Sequence, residues 1–124
     1  MVKALIIEDN DYFRETLRDL LRSEFPCVTF EEAGDGDEAL QKIEVLCPEL
    51  ILMDIKLPGE SGLEITKKVR QSFLEVTIII LTNYDLPEYR DAALLHGANY
   101  FLSKGSSSTE DIIQLVDSVI KDMK

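Results

Sequence analysis

Four places in this chain of 124 residues carry side chains suited to phosphoryl chemistry, and each stands at the end of a short apolar run. They are the acidic pair Glu8 and Asp9 after KALII, Asp54 after ELILM, Thr82 closing VTIIILT, and Lys104 just past NYFL. An ionised carboxylate taken out of water costs several kcal/mol unless something pairs with it, so Asp54 needs a partner, a metal or a reaction. Two carboxylates ~4 Å apart repel by roughly 4 kcal/mol at an effective dielectric of 20. Three acids at one edge are therefore a liability without a cation. A hard divalent ion such as Mg²⁺ removes it, since Mg²⁺ takes one or two carboxylates, keeps several waters and accepts a phosphate oxygen. Lys104 adds a second positive charge and Thr82 a hydroxyl. The set then reads as an aspartate nucleophile beside three groups able to neutralise a phosphoryl transition state. Singly, each has a plainer explanation: β propensity for Thr82, a solvated loop for Lys104, a turn with Asn10 or Asp11 as N-cap for Glu8 and Asp9.

The elements that must gather these groups alternate between two periodicities. Residues 3–7, 27–33, 49–53, 76–82 and 99–102 are short, apolar and rich in β-branched or aromatic side chains, as buried strands are. Between them lie helical stripes. Phe13, Leu17, Leu20 and Leu21 line the first, which Pro26 ends; Ala39, Leu40, Ile43, Leu46 and Cys47 line the second, entered through GDGD and closed by Pro48. The third runs from Ser61, which has capping-box spacing to Glu64, to about Phe73. The fourth follows Leu86-Pro87 and ends at Gly97. The fifth carries Ile112, Ile113, Val116, Val119 and Ile120 behind a serine-rich cap. Five strands alternating with five helices predict an α/β fold with a parallel sheet covered on both faces. All five strands then end on one edge, where such folds bind ligands, and four of those ends carry the residues above.

Composition narrows the function. With 24 acidic against 13 basic side chains the net charge is −11, so this domain is not expected to bind nucleic acid directly. No apolar run is long enough for a bilayer and no signal peptide is evident, which predicts a soluble cytoplasmic protein. Cys27 and Cys47 have no metal-ligand spacing, suit a reducing compartment and read as buried or incidental. Residues 1–124 read as a single domain without linker or repeat.

At this point the chain resembles the receiver domain of bacterial two-component response regulators, the CheY-like group. LIIEDN resembles the first strand with its acidic pair, AGDGDEAL the turn into the second helix, and ILMDIKLPGESG the phosphoacceptor strand with its Pro-Gly loop. IIILT ends on the Thr or Ser position, and HGANYFLSK is similar to the segment with the switch aromatic and the lysine. The resemblance implies a three-layer αβα, flavodoxin-like fold with strand order 2-1-3-4-5. It implies that Asp54 accepts a phosphoryl group from a sensor histidine kinase, aided by Thr82 and Lys104. Mg²⁺ would be held by Asp9, Asp54 and the backbone carbonyl of Lys56, with Glu8 acting through a water. Thr82 and Phe101 would switch, Phe101 by rotating inward, while Tyr100 reads as a core aromatic.

The fourth helix, fifth strand and fifth helix would present the result to an output domain or target protein, on a face through which two copies could pair. Self-dephosphorylation would be slow, so the protein is not expected to be an enzyme in the turnover sense. Three residues depart from the common pattern: Gly105 replaces a proline after Lys104, Asn83 is larger than usual after Thr82, and Phe101 lacks a tyrosine hydroxyl. Lys56, Tyr84 and Glu88 flank the mouth of the site, and His96 reads as an ordinary helix-end residue. The rival reading is a Mg-dependent phosphatase of the haloacid dehalogenase type, which wants a second aspartate where Lys56 stands. A flavodoxin-like flavin site is disfavoured by the acidic EDND loop.

Overall fold

The computed structural model describes residues 2–73 and 75–123. Chain order is β1 (Lys3–Ile7), α1 (Asp11–Glu24), β2 (Thr29–Ala33), α2 (Gly36–Leu46), β3 (Leu50–Met53), α3 (Gly62–Ser72), β4 (Thr77–Thr82), α4 (Pro87–His96), β5 (Tyr100–Ser103) and α5 (Thr109–Asp122). The strands form one parallel sheet in the order β2-β1-β3-β4-β5, as expected. Strand alternation divides the core in two. Leu5, Ile7, Ile51, Met53, Ile78 and Ile80 pack with Ala39, Ile43, Ile65, Val69 and Ala93, which places α2, α3 and α4 on one face. Ala4, Ile6, Leu50, Leu52, Ile79 and Leu81 pack with Leu17 and Leu21 of α1 and with Val116 and Ile120 of α5 on the other.

Helix ends are set by local chemistry. Asn10 caps α1, its Oδ1 accepting the Phe13 N–H at 2.9 Å. Ser108 and Asp111 form a reciprocal capping box on α5. The box predicted for Ser61 and Glu64 does not form. Ser61 Oγ accepts from the Leu63 N–H instead, at 3.1 Å, because the Gly62 N–H is drawn to the Ile55 carbonyl at 2.8 Å and tightens the entry. Several strands begin a residue or two later than expected, and β5 extends one further, to Ser103. Cys27 and Cys47 are both exposed, Cys47 because it closes α2 in a left-handed conformation at φ 47°.

The two ends of α4 differ. Its N-cap, Leu86, offers no side-chain hydrogen bond. Its C-terminal end is fastened: the Arg70 guanidinium donates to the carbonyls of Gly97 at 2.8 Å and Val76 at 2.8 Å, and to Asn99 Oδ1 at 3.0 Å. Along its length α4 buries Ala93, while Leu94 and Leu95 are 48 % and 84 % exposed.

Close approach explains one glycine. A Cβ at Gly62 would stand 2.1 Å from the backbone oxygen of Asp54, and only backbone movement could relieve that. Gly62→Ala is therefore expected to lower stability by about 1–3 kcal/mol in urea denaturation. An unchanged midpoint would show that the loop has room the structure does not display.

Candidate phosphoacceptor site

The sheet ladder builds this site. Ile7 pairs with Met53, and the ladder continues one residue further, with the Asp54 N–H donating to the Ile7 carbonyl at 3.0 Å. On the other side of β1 the Glu8 N–H donates to Ala33, also at 3.0 Å. Glu8 and Asp54 are thus fixed at adjacent strand ends. On the far side of β4, Thr82 pairs with Ser103 and its carbonyl accepts the Lys104 N–H at 2.8 Å. From there the Lys104 side chain reaches past the end of β4. Its ammonium lies 2.9 Å from Asp54 Oδ2 and 2.5 Å from Glu8 Oε1.

Most of the remaining hydrogen-bonding capacity is used as well. Asp54 Oδ1 accepts the Ile55 N–H at 2.6 Å, and Glu8 Oε2 accepts the Asn10 N–H at 3.0 Å. Arg14 donates to the Glu8 carbonyl at 2.8 Å while its Nε pairs with Glu32, which ties α1 to both β1 and β2. Thr82 is fully buried, and its Oγ1 accepts the Tyr84 N–H at 3.2 Å. Asp9 is exposed, yet one carboxylate oxygen from each of Glu8, Asp9 and Asp54 falls within a mutual 4.8 Å, an all-oxygen set of the kind that holds a hard cation.

Burial pushes the Glu8 carboxyl up. Hydrogen bonds from Lys104 and the Asn10 N–H oppose that, the Asp54 charge reinforces it, and the net shift is upward. Burial pulls the Lys104 ammonium down, but its hydrogen bonds to Glu8 and Asp54 and their charges outweigh it, so it stays above its usual value. The stability Lys104 contributes is therefore complete at neutral pH and is lost only as pH climbs through that raised value. The Glu8 contribution has its full value below the ordinary carboxylate range and is lost as pH rises through the raised one.

All the residues read from the sequence as strand-end groups lie at this edge. The Glu8 carboxylate takes the ammonium directly, because Lys104 is long enough to reach two strands. Phe101 is already turned inward, 6 % exposed, with the Arg90 guanidinium 4.9 Å from its ring centroid. Tyr100 is not a core aromatic: at the start of an edge strand it stays 38 % exposed. Around the mouth, Lys56, Asn83, Glu88 and Gly105 are exposed, and Lys56 Nζ lies 5.3 Å from the Tyr84 ring centroid. His96 ends α4, and no peptide bond among the described residues is cis, Lys104–Gly105 included. Sequence reasoning missed Phe13, whose ring centroid is 4.3 Å from the Lys104 ammonium. Its place in an apolar stripe had already accounted for it.

Comparison with known proteins decides the affiliation: the family model for the response regulator receiver domain matches residues 4–117. The chain belongs to the response regulator receiver family. This receiver is 35 % identical to the oxygen regulatory protein NreC of Staphylococcus haemolyticus, over 97 % of the chain and 55 % of that protein. It is 34 % identical to the transcriptional regulatory protein LnrK of Bacillus subtilis, over 96 % and 54 % respectively. The chain thus spans about half the length of the curated relatives it matches. Among solved structures, the CheY-like receiver domain protein of Methanospirillum hungatei superposes with TM-score 0.89 at 26 % identity, covering 98 % of this chain and 95 % of that one. The receiver domain of a DNA binding response regulator from Colwellia psychrerythraea matches in fold, with TM-score 0.91 at 18 % identity, covering 98 % and 99 %.

Removing the shared ammonium leaves two buried carboxylates facing each other. In the absence of divalent ions, Lys104→Met is expected to cost about 3 kcal/mol at neutral pH. Part of that loss should return toward pH 4.5 as Glu8, whose carboxyl is pushed up by burial, takes up a proton. Urea titrations of both proteins at the two pH values test this; a penalty that does not change with pH would contradict the shared-charge account.

Proposed function

We propose that residues 1–124 work as one receiver domain in which Asp54 accepts a phosphoryl group from a phosphohistidine on a sensor kinase. The observation that carries this reading is the Lys104 ammonium, which holds Asp54 Oδ2 at 2.9 Å in a site with two further carboxylates within reach. In the transfer, a carboxylate oxygen of Asp54 bonds to phosphorus, the phosphorus–nitrogen bond to the donor imidazole breaks, and an acyl phosphate results. Lys104 and Thr82 then have new acceptors: the ammonium turns to a phosphoryl oxygen, and the Thr82 hydroxyl donates to another. Glu8, Asp9, Asp54 and the Lys56 backbone carbonyl are the groups that would hold Mg²⁺, and the oxygen-only donor set with one exposed carboxylate suits it. Bound there, the ion supplies positive charge against the incoming phosphoryl oxygens. A phosphatase of the haloacid dehalogenase type would need an acid two residues past Asp54, and Lys56 cannot serve as one.

The signal leaves through α4, β5 and α5. Phosphorylation adds close to two negative charges at the sheet edge, and new bonds to Thr82 and Lys104 favour one arrangement of their loops over another. Phe101 has no hydroxyl with which to be held outward, so its buried position is the favoured one. Leu94, Leu95 and Tyr100 are exposed along this face and offer contacts to an output domain, a target protein or a second copy. Self-dephosphorylation belongs to this reading as a slow reset.

The phosphoryl analogue beryllofluoride, with Mg²⁺, is expected to bind the wild type and to fail with Asp54→Ala or after chelation by EDTA. Acetyl phosphate should likewise label the wild type alone. Binding or labelling that persists in Asp54→Ala would remove Asp54 from its role.

A further inference from the structure

We infer that Phe13 is a positioning residue for Lys104: its ring forms one wall of the ammonium's socket and directs the charge toward Asp54 and the phosphoryl group. This rests on the phosphoacceptor reading above and deepens it. The Lys104 ammonium has three N–H donors, and two acceptors engage it, Glu8 Oε1 and Asp54 Oδ2. The Phe13 ring centroid lies 4.3 Å from Nζ, well inside cation–π range, and the Lys104 side chain is 10 % exposed. An aromatic face suits that position. It attracts the charge and keeps water off it, but presents no oxygen to compete with a phosphoryl oxygen when Lys104 changes partner.

The ring is itself held in register by the site. Glu8 Oε2 accepts the Asn10 N–H, Asn10 Oδ1 accepts the Phe13 N–H, and Phe13 stacks on the ammonium that binds Glu8 Oε1. The contacts therefore close on themselves: Glu8, Asn10, Phe13, Lys104 and back to Glu8. Asn10 thereby caps α1 and also aims Phe13.

Beryllofluoride titration at saturating Mg²⁺, followed by ¹⁹F NMR, tests the assignment. Phe13→Leu keeps an apolar side chain without a π face and is expected to weaken beryllofluoride binding roughly 3- to 30-fold, while Phe13→Tyr restores wild-type affinity. In a Lys104→Met background the Phe13→Leu change should have no further effect, since the charge it acts on is gone. Wild-type affinity in Phe13→Leu overturns the inference. So does an equal loss in Phe13→Tyr, or a loss that persists without Lys104, because either marks a purely structural ring. A wild type that fails to bind beryllofluoride would instead overturn the phosphoacceptor reading, and this inference with it.

Discussion

The arrangement depends on one ammonium shared by two buried carboxylates. Glu8 and Asp54 end neighbouring strands of a parallel sheet, and backbone hydrogen bonds give them no freedom to separate. Their mutual repulsion must be met where they stand, and Lys104 meets it from two strands away. The site is consequently poised: a positive charge already stands beside Asp54 and has only to change partner when an anionic group arrives. Arg14 secures the other side of the same loop through the Glu8 carbonyl and Glu32, so that a second cation holds the backbone while Lys104 holds the side chains.

Much of this was legible in the sequence because parallel sheets expose their logic. Once alternating strand and helix patterns fix the topology, the residues just past each strand must meet at one edge, and Glu8, Asp9, Asp54, Thr82 and Lys104 could be named from that alone. What the sequence did not reveal depends on side-chain reach and local competition. Nothing in the spacing says that Lys104 takes Glu8 as well as Asp54, because a lysine can span either distance. Phe13 was hidden since a helical apolar stripe already explains it, although its ring serves core and site together. Ser61 and Ser108 have similar capping signals, but the pull of Ile55 on the Gly62 N–H alters the first and leaves the second intact. Tyr100 has the composition of a core residue and the location of an edge one.

Communication between site and surface runs through elements held with unequal strength. The three central strands are buried on both faces, α1 buries two side chains, and α3 and α5 bury three and four. By contrast α4 fully buries one side chain, Ala93, packs Tyr89 partly against the core and leaves two leucines in water, the least apolar burial of the covering helices. It also follows β4 directly, within a few residues of Thr82, whose hydroxyl holds the Tyr84 N–H. A rotation of that hydroxyl away from Tyr84 would remove one of the bonds that hold the segment leading into α4.

The two unlike ends of α4 then determine the form the motion takes. One end is riveted by Arg70 to the beginnings of β4 and β5, while the other, nearest the phosphoacceptor edge, lacks an N-cap side-chain hydrogen bond and is held by looser contacts, an Arg90–Asp85 ion pair at 3.6 Å and the Tyr84 and Tyr89 rings 5.6 Å apart. A rod held more firmly at one tip is freer at the other, so a push arriving from Thr82 would be felt most beside the site and least near Gly97. A surface that recognised such a swing would read tilt in preference to translation, with the Arg70 guanidinium beside its fulcrum.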